Sequence, residues 1–224
     1  LDQALYSTLK SLELRPDNPY GINNLFKSIK ELSISTSNPH LLIKAFELLL
    51  NNENISHRDL TSLFIQTFLP TIQAAAKIDP IISTNNDTLN NLSADWRLRK
   101  SLTLLIPPHQ DVEHFLTRLR KELLILASQQ DAIPEQLKRL SEALATQCFL
   151  NEYAYSQSPE EEALVEKLIK QALQSQEVFN QHLAIIACYR PIHTLGLERE
   201  WLNKYPITSE ERRTLIRVQF LEPL

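Results

Sequence analysis

The sequence predicts an all-α protein, an irregular helical array or bundle of about nine to eleven helices. Three observations carry this. Only two glycines, Gly21 and Gly196, occur in 224 residues, and a helix interior penalises glycine by about 1 kcal/mol relative to alanine. Apolar residues recur at offsets of three and four, the spacing that keeps one helix face apolar. Prolines and Ser/Asn clusters cut the chain into segments with short connections, and no segment alternates strictly enough to predict a strand.

The elements follow in order. A first helix spans 1–14 and ends at Arg15-Pro16-Asp17-Asn18-Pro19; a second spans 20–33. Asn38-Pro39 starts a third, because asparagine caps and proline tolerates the first helical position, and Leu41, Leu42, Ala45, Phe46, Leu48 and Leu49 give it a broad apolar face. Ser56-His57-Arg58-Asp59 has the spacing of a capping box and leads into Leu60, Leu63, Phe64 and Phe68. A short further helix of one or two turns is expected over 71–78. The polar, asparagine-rich segment 83–92 reads as a loop between a front subdomain, 1–82, and a back subdomain, 93–224.

After Pro107-Pro108, Val112, Phe115, Leu116, Leu119, Leu123 and Leu126 fall on one helix face. Pro134 stands near the start of the next helix, where Leu137, Leu140, Leu144 and Cys148 form a second stripe. Ser158-Pro159-Glu160-Glu161 combines a cap, a first-turn proline and acids at the positive end of the helix dipole. Helices near 177–189 and 208–222 complete the set.

Composition bounds the function. The length suits one large or two small domains, and 43% hydrophobic residues can fill a core. A net charge of -4 supplies no overall field for nucleic acid or an anionic membrane. The apolar runs are too short to cross a bilayer, and the first twenty residues lack a basic start followed by an apolar block. Two cysteines do not make a disulfide scaffold, so a reducing, cytoplasmic setting is expected. The chain opens at Leu1 inside a running helix and contains no methionine, which reads as a fragment of a longer protein or as a sequence from which modified methionines have dropped out.

Scarce glycine also bears on chemistry. Loops that cradle phosphates or a nucleotide cofactor bring backbone against ligand, which needs glycine at several neighbouring positions. None is present here, so no cofactor, metal or catalytic residue is expected in this chain. His109 and His114 stand five apart, whereas two ligands on one helix face need three or four. His57 and Asp59 are explained by capping, His182 and His193 by packing or surface positions, and Glu160, Glu161 and Glu162 by the helix dipole. Cys148 and Cys188, forty positions apart among apolar residues, read as buried inert thiols.

The basic residues offer more. Arg97-Leu98-Arg99-Lys100 and Arg118-Leu119-Arg120-Lys121 repeat one pattern on consecutive helices. They are either solvated helix faces with leucine turned inward or an acceptor surface for an acidic protein partner. No aromatics interleave them as a single-stranded nucleic-acid platform requires, so nucleic acid is a minor option.

Particular phrases resemble a family. The stretch 4–19, with Leu14-Arg15-Pro16-Asp17 closing one helix and Tyr20, Asn23, Asn24 and Leu25 opening the next, looks like the end of a tetratricopeptide repeat. Gln147-Cys148-Phe149-Leu150-Asn151-Glu152-Tyr153-Ala154-Tyr155 and, upstream, Asp111-Val112-Glu113-His114-Phe115-Leu116-Thr117-Arg118-Leu119-Arg120 resemble the helical region of bacterial tetratricopeptide-repeat methyltransferases. Pro191-Ile192-His193-Thr194-Leu195 and Gln219-Phe220-Leu221-Glu222-Pro223-Leu224 add to that likeness, which covers about 102–224.

The resemblance implies a non-catalytic helical module that positions a protein substrate for an S-adenosylmethionine-dependent catalytic domain lying outside this chain. That family's cofactor loop has no counterpart here, so no catalytic residue is carried over. Gln147, Asn151, Glu152 and Tyr153 are then either members of a buried polar network or an interface with the catalytic domain or its substrate. A free-standing helical scaffold that binds another polypeptide is the alternative.

Overall fold

The computed structural model describes residues 2–32, 39–52, 57–83, 85–129, 133–196 and 206–221. Among these are eleven α-helices and no strand, which agrees with the all-α reading. They are α1 (Asp2–Leu14), α2 (Pro19–Leu32), α3 (Pro39–Leu50), α4 (His57–Ala76), α5 (Asp87–Ala94), α6 (Trp96–Leu102), α7 (Gln110–Ser128), α8 (Glu135–Leu150), α9 (Pro159–Ala172), α10 (Gln176–Ala187) and α11 (Glu210–Ile216). A 3₁₀ helix, Ile192–Leu195, follows α10, and a π-helical turn, Arg217–Leu221, continues α11. Leu1, Ser33, the caps expected at Asn38 and Ser56, Thr84 and the closing Glu222-Pro223-Leu224 lie outside the described residues.

The chain forms two compact units, Leu1–Leu69 and Pro70–Leu224. In the first, α1 buries Leu5, Leu9 and Leu12 at offsets of four and three, and packs against α2 and α3. Gly21 sits where α1 and α2 come closest: a Cβ there would stand 2.7 Å from Leu12 Cδ2. Phe46, Phe64 and Phe68 close this core, the first and last meeting edge-to-face at 6.2 Å.

The second unit is built around α8, which packs against α5, α6, α7, α10 and α11. Its expected stripe of Leu137, Leu140, Leu144 and Cys148 is buried, but so is every residue of 140–149. The intervening Ser141, Ala143, Ala145 and Thr146 are small, and small side chains let neighbouring helices approach from every side. The apolar face of α7 is buried at Val112, Phe115, Leu116, Leu119 and Leu123 as the spacing predicts.

Three expectations are corrected. The segment 71–78 is not a separate helix: α4 continues through Pro70 to Ala76, with Phe64, Phe68, Ile72 and Ala75 buried at helical spacing along it. The polar stretch 83–92 is not all loop. Asn86 is fully buried, accepts from the Leu89 amide at 2.9 Å and donates to the Ile81 carbonyl at 2.8 Å, and so starts α5 at Asp87. The two units therefore divide at Leu69/Pro70, since α5 packs on α8 inside the second unit rather than separating subdomains.

At the end of α8 the chain turns through two left-handed residues, Glu152 (φ 50) and Tyr153 (φ 57), while the Tyr153 amide donates to the Cys148 carbonyl at 2.8 Å. A non-glycine residue in this region carries strain of about 1–2 kcal/mol. Glu152 is exposed. Glu152→Gly is therefore expected to raise stability by about 0.5–1 kcal/mol, the relieved strain exceeding glycine's extra unfolded-state entropy. Denaturant midpoints of Glu152→Gly and Glu152→Ala would check this; equal midpoints would show that the turn is unstrained.

Candidate functional site

The features of α8 that its apolar stripe does not explain lead to the site. Glu142 is buried on this helix, and α11 supplies what holds it there. Arg212 Nε donates to Glu142 Oε1 at 2.6 Å, and the Ser209 hydroxyl donates to Glu142 Oε2 at 2.6 Å. Ser209 is also the N-cap of α11, accepting from the Arg212 amide at 2.9 Å, so one cap fixes both partners of the carboxylate. A second guanidinium hydrogen bond, from Arg212 Nη1 to the Pro206 carbonyl at 2.8 Å, holds the pair in register.

Beside this ion pair lies a cleft of ≈ 600 Å³ between α8, α10 and α11, lined among others by Lys138, Gln176, Glu177, Asn180, Gln181 and His182. Among the described residues its lining carries two cations, Lys138 and Arg212, and two carboxylates, Glu142 and Glu177; Arg212 pairs with Glu142, and Lys138 turns to Glu135 at 2.5 Å. A second cleft of ≈ 380 Å³ adjoins it across Gln181 and His182, lined by Gln171, Gln174, Ser175 and Val178. The pair of clefts thus wraps the N-terminal half of α10.

His182 is buried, and its Nδ1 has no hydrogen-bond partner among the described residues. Burial lowers its pKa from the ordinary 6.5, because the imidazolium would lose hydration without gaining a counter-charge. The unfolded chain therefore binds the proton more readily than the native state, and stability present above about pH 6.5 declines as pH falls below it. Unfolding free energy measured from pH 7.5 to 5 is expected to fall more steeply in the wild type than in His182→Asn. Parallel profiles would refute the assignment.

The basic strings meet different fates. Arg97 pairs with its own helix cap, Asp95, at 2.6 Å. Arg99 is buried, donating to Glu211 at 2.5 Å and to the Ser93 carbonyl at 2.6 Å. Lys100 lines a small cleft with Trp96, Glu210 and Arg217. Arg118 closes the end of α4 through the Ala76 carbonyl at 2.8 Å and Asp79 at 2.9 Å. Lys121 is exposed, near enough to Glu160 to help hold that carboxyl below its usual range, after the stronger effect of the Ser158 hydrogen bond. Arg120 is 1% exposed. Arg99, Arg118 and Arg120 thus brace neighbouring elements and Arg97 its own cap, rather than line one basic face, because α6 packs on α8 while α7 packs on α8, α9 and α10.

Arg120 centres a buried cluster. Its guanidinium lies 4.3 Å from the Tyr189 ring centroid and 5.8 Å from that of Tyr155, and donates to the Ser156 carbonyl at 2.6 Å. Glu161 Oε1 stands 3.8 Å from Arg120 and accepts from the Tyr189 hydroxyl at 2.9 Å. Glu161 also completes the predicted capping box with Ser158. Burial raises the Tyr155 and Tyr189 pKa values and that of the Cys188 thiol, so all three stay protonated near neutrality. Cys148 and Cys188 are fully buried free thiols.

Nor do the four residues expected at an interface share one environment. Gln147 is fully buried beside the Tyr155 hydroxyl, its amide lacking a well-aligned hydrogen bond. Asn151 is half-buried as the C-cap of α8, and Glu152 is exposed. The Tyr153 hydroxyl shares its one proton between the Ala187 carbonyl at 3.2 Å and Gln219 Oε1 at 3.4 Å. Gln219, fully buried in the π-helical turn, joins this group to the Ala145 carbonyl at 2.9 Å and the Ile192 amide at 3.3 Å. His109, set aside above as a metal ligand on its spacing from His114, caps α7 by accepting from the Asp111 amide at 3.2 Å.

Sequence reasoning passed over Glu142, Arg212 and the carboxamides of α10. A partial signal for the first was present: Glu142 is flanked by Ser141 and Ala143 and followed at helical spacing by Ala145 and Thr146, small residues that suit close packing better than a solvated face. No described helix is long and apolar enough to cross a membrane. Comparison with family models, curated proteins and solved structures gives no match for this chain.

Proposed function

We propose that this chain is a non-catalytic helical module that recognises a polypeptide and positions it for an S-adenosylmethionine-dependent methyltransferase domain. The observation that carries the recognition part is the engagement of the charged side chains. Glu142 and Arg212 are tied to each other across α8 and α11, and the cleft beside them over α10 carries, among the described residues, equal numbers of cations and carboxylates together with hydrogen-bonding carboxamides. The methyltransferase part is supported by the phrases at 111–120, 147–155 and 191–195.

Two measurements test the parts separately. Panning a phage-displayed random dodecapeptide library on the immobilised chain is expected to enrich peptides; failure to enrich any would remove the recognition reading. The reading frame beyond Leu224 is expected to encode a glycine-rich cofactor loop within about a hundred residues, on domain size. A stop there would leave the free-standing scaffold instead. Titration calorimetry with S-adenosylmethionine is expected to show no saturable heat with this chain; saturable binding would place the cofactor among these helices and overturn the assignment.

A further inference from the structure

We propose that the double cleft on α10 is a peptide-backbone site, taking an extended and locally neutral polypeptide segment through a row of carboxamides. This rests on the recognition reading above and adds to it the site and the class of ligand.

The row follows from helical spacing. Glu177, Asn180, Gln181 and Ala184 stand at offsets 0, 3, 4 and 7 and face the larger cleft, while Val178, Gln181 and His182 face the smaller. Gln174 and Gln171 extend the smaller cleft beyond the Ser175 cap. From Ser175 to Ala184 the helix rises about 13 Å at 1.5 Å per residue, the length of about four residues of extended chain.

The chemistry selects the ligand. A carboxamide presents a donor pair and an acceptor on one plane, as a peptide group does, so a row of them matches the alternating N–H and C=O groups of an extended backbone without demanding a particular side chain. His182 lines both clefts and so marks where they adjoin, while its Nδ1 is buried beneath them without a partner among the described residues.

Rival ligands fit less well. A polyanion would need net positive charge, yet Arg212 is neutralised by Glu142 and the rim carries both Lys138 and Glu177. A glycan would want an aromatic platform, and among the described residues no Phe, Tyr or Trp lines either cleft.

The test uses the whole chain and peptides enriched on it from the dodecapeptide library. The substitutions Gln174→Ala, Asn180→Ala and Gln181→Ala, combined in one variant, are expected to weaken those peptides about tenfold or more with the melting temperature unchanged. Peptides N-methylated at alternate backbone amides are expected to lose binding to the wild type by a similar factor. Enriched peptides that bind the triple variant as tightly as the wild type would overturn the site while leaving the recognition reading intact. Tolerance of N-methylation would overturn backbone readout, and a library yielding no peptide would remove both. If a neutral glycan array bound the wild type and not the triple variant, the cleft would belong to sugars and the proposal would fall.

Discussion

Glu142→Ala is expected to destabilise the protein by about 3–5 kcal/mol, the range for breaking a buried ion pair by removing one partner. The Arg212 guanidinium would remain largely buried, 13% exposed at its side chain, without its carboxylate, and the Ser209 hydroxyl would lose its acceptor. Because Ser209 also caps α11, the loss would reach the packing of α11 on α8. Arg212→Leu is expected to cost a similar amount by stranding Glu142. The double variant Glu142→Leu/Arg212→Leu should recover much of either single loss, since no unpaired charge remains buried. Denaturant unfolding of the four proteins would decide it: additive losses would mean that the two side chains act independently.

Arg120→Leu is expected to have an effect of the same size, about 3–5 kcal/mol, for a different set of reasons. It would leave the Glu161 carboxylate buried without its cation, the Ser156 carbonyl without its donor, and two tyrosine rings without the guanidinium between them. Arg120→Lys should recover only part of this, because a compact ammonium cannot reach the carbonyl and lie against the rings at once. The hydroxyl of Tyr189 offers an internal control. Tyr189→Phe removes its hydrogen bond to Glu161 while keeping the ring beside Arg120, so it is expected to cost about 1–2 kcal/mol. If Arg120→Leu were no worse than Tyr189→Phe, Arg120 would not be the centre of the cluster.

The arginines of the two basic strings show how far residue patterns carry. Arg118-Leu119-Arg120-Lys121 and Arg97-Leu98-Arg99-Lys100 are the same string, and sequence reasoning treated them alike. In the structure Arg120 is in the core, Arg99 spans to Glu211 on α11, Arg118 closes α4 and Lys121 is exposed. Helical spacing says which residues share a face, and that much was legible. It does not say which faces meet another helix. Glu211 stands 112 residues from Arg99, and Ser156 and Glu161 stand 36 and 41 residues from Arg120.

The same divide runs through α8. Its apolar stripe was readable from Leu137, Leu140, Leu144 and Cys148, yet burial extends to Glu142 and Gln147 on other faces. The carboxamides of α10 were legible as letters only. Gln171 on α9 and Gln174 just beyond it meet Gln181 across the smaller cleft because α9 packs against α10, and no local periodicity reports that.

What the sequence determined by itself is the helical character of the chain, most of its helix starts and the greater part of its core. Propensity, caps and apolar offsets act within a few residues and are written locally. Tertiary structure alone decided which charges are neutralised, which helix lies at the centre and where a cleft remains. Those outcomes depend on side chains brought together across tens of residues, and on the cost of burying a charge until a distant partner arrives to cancel it.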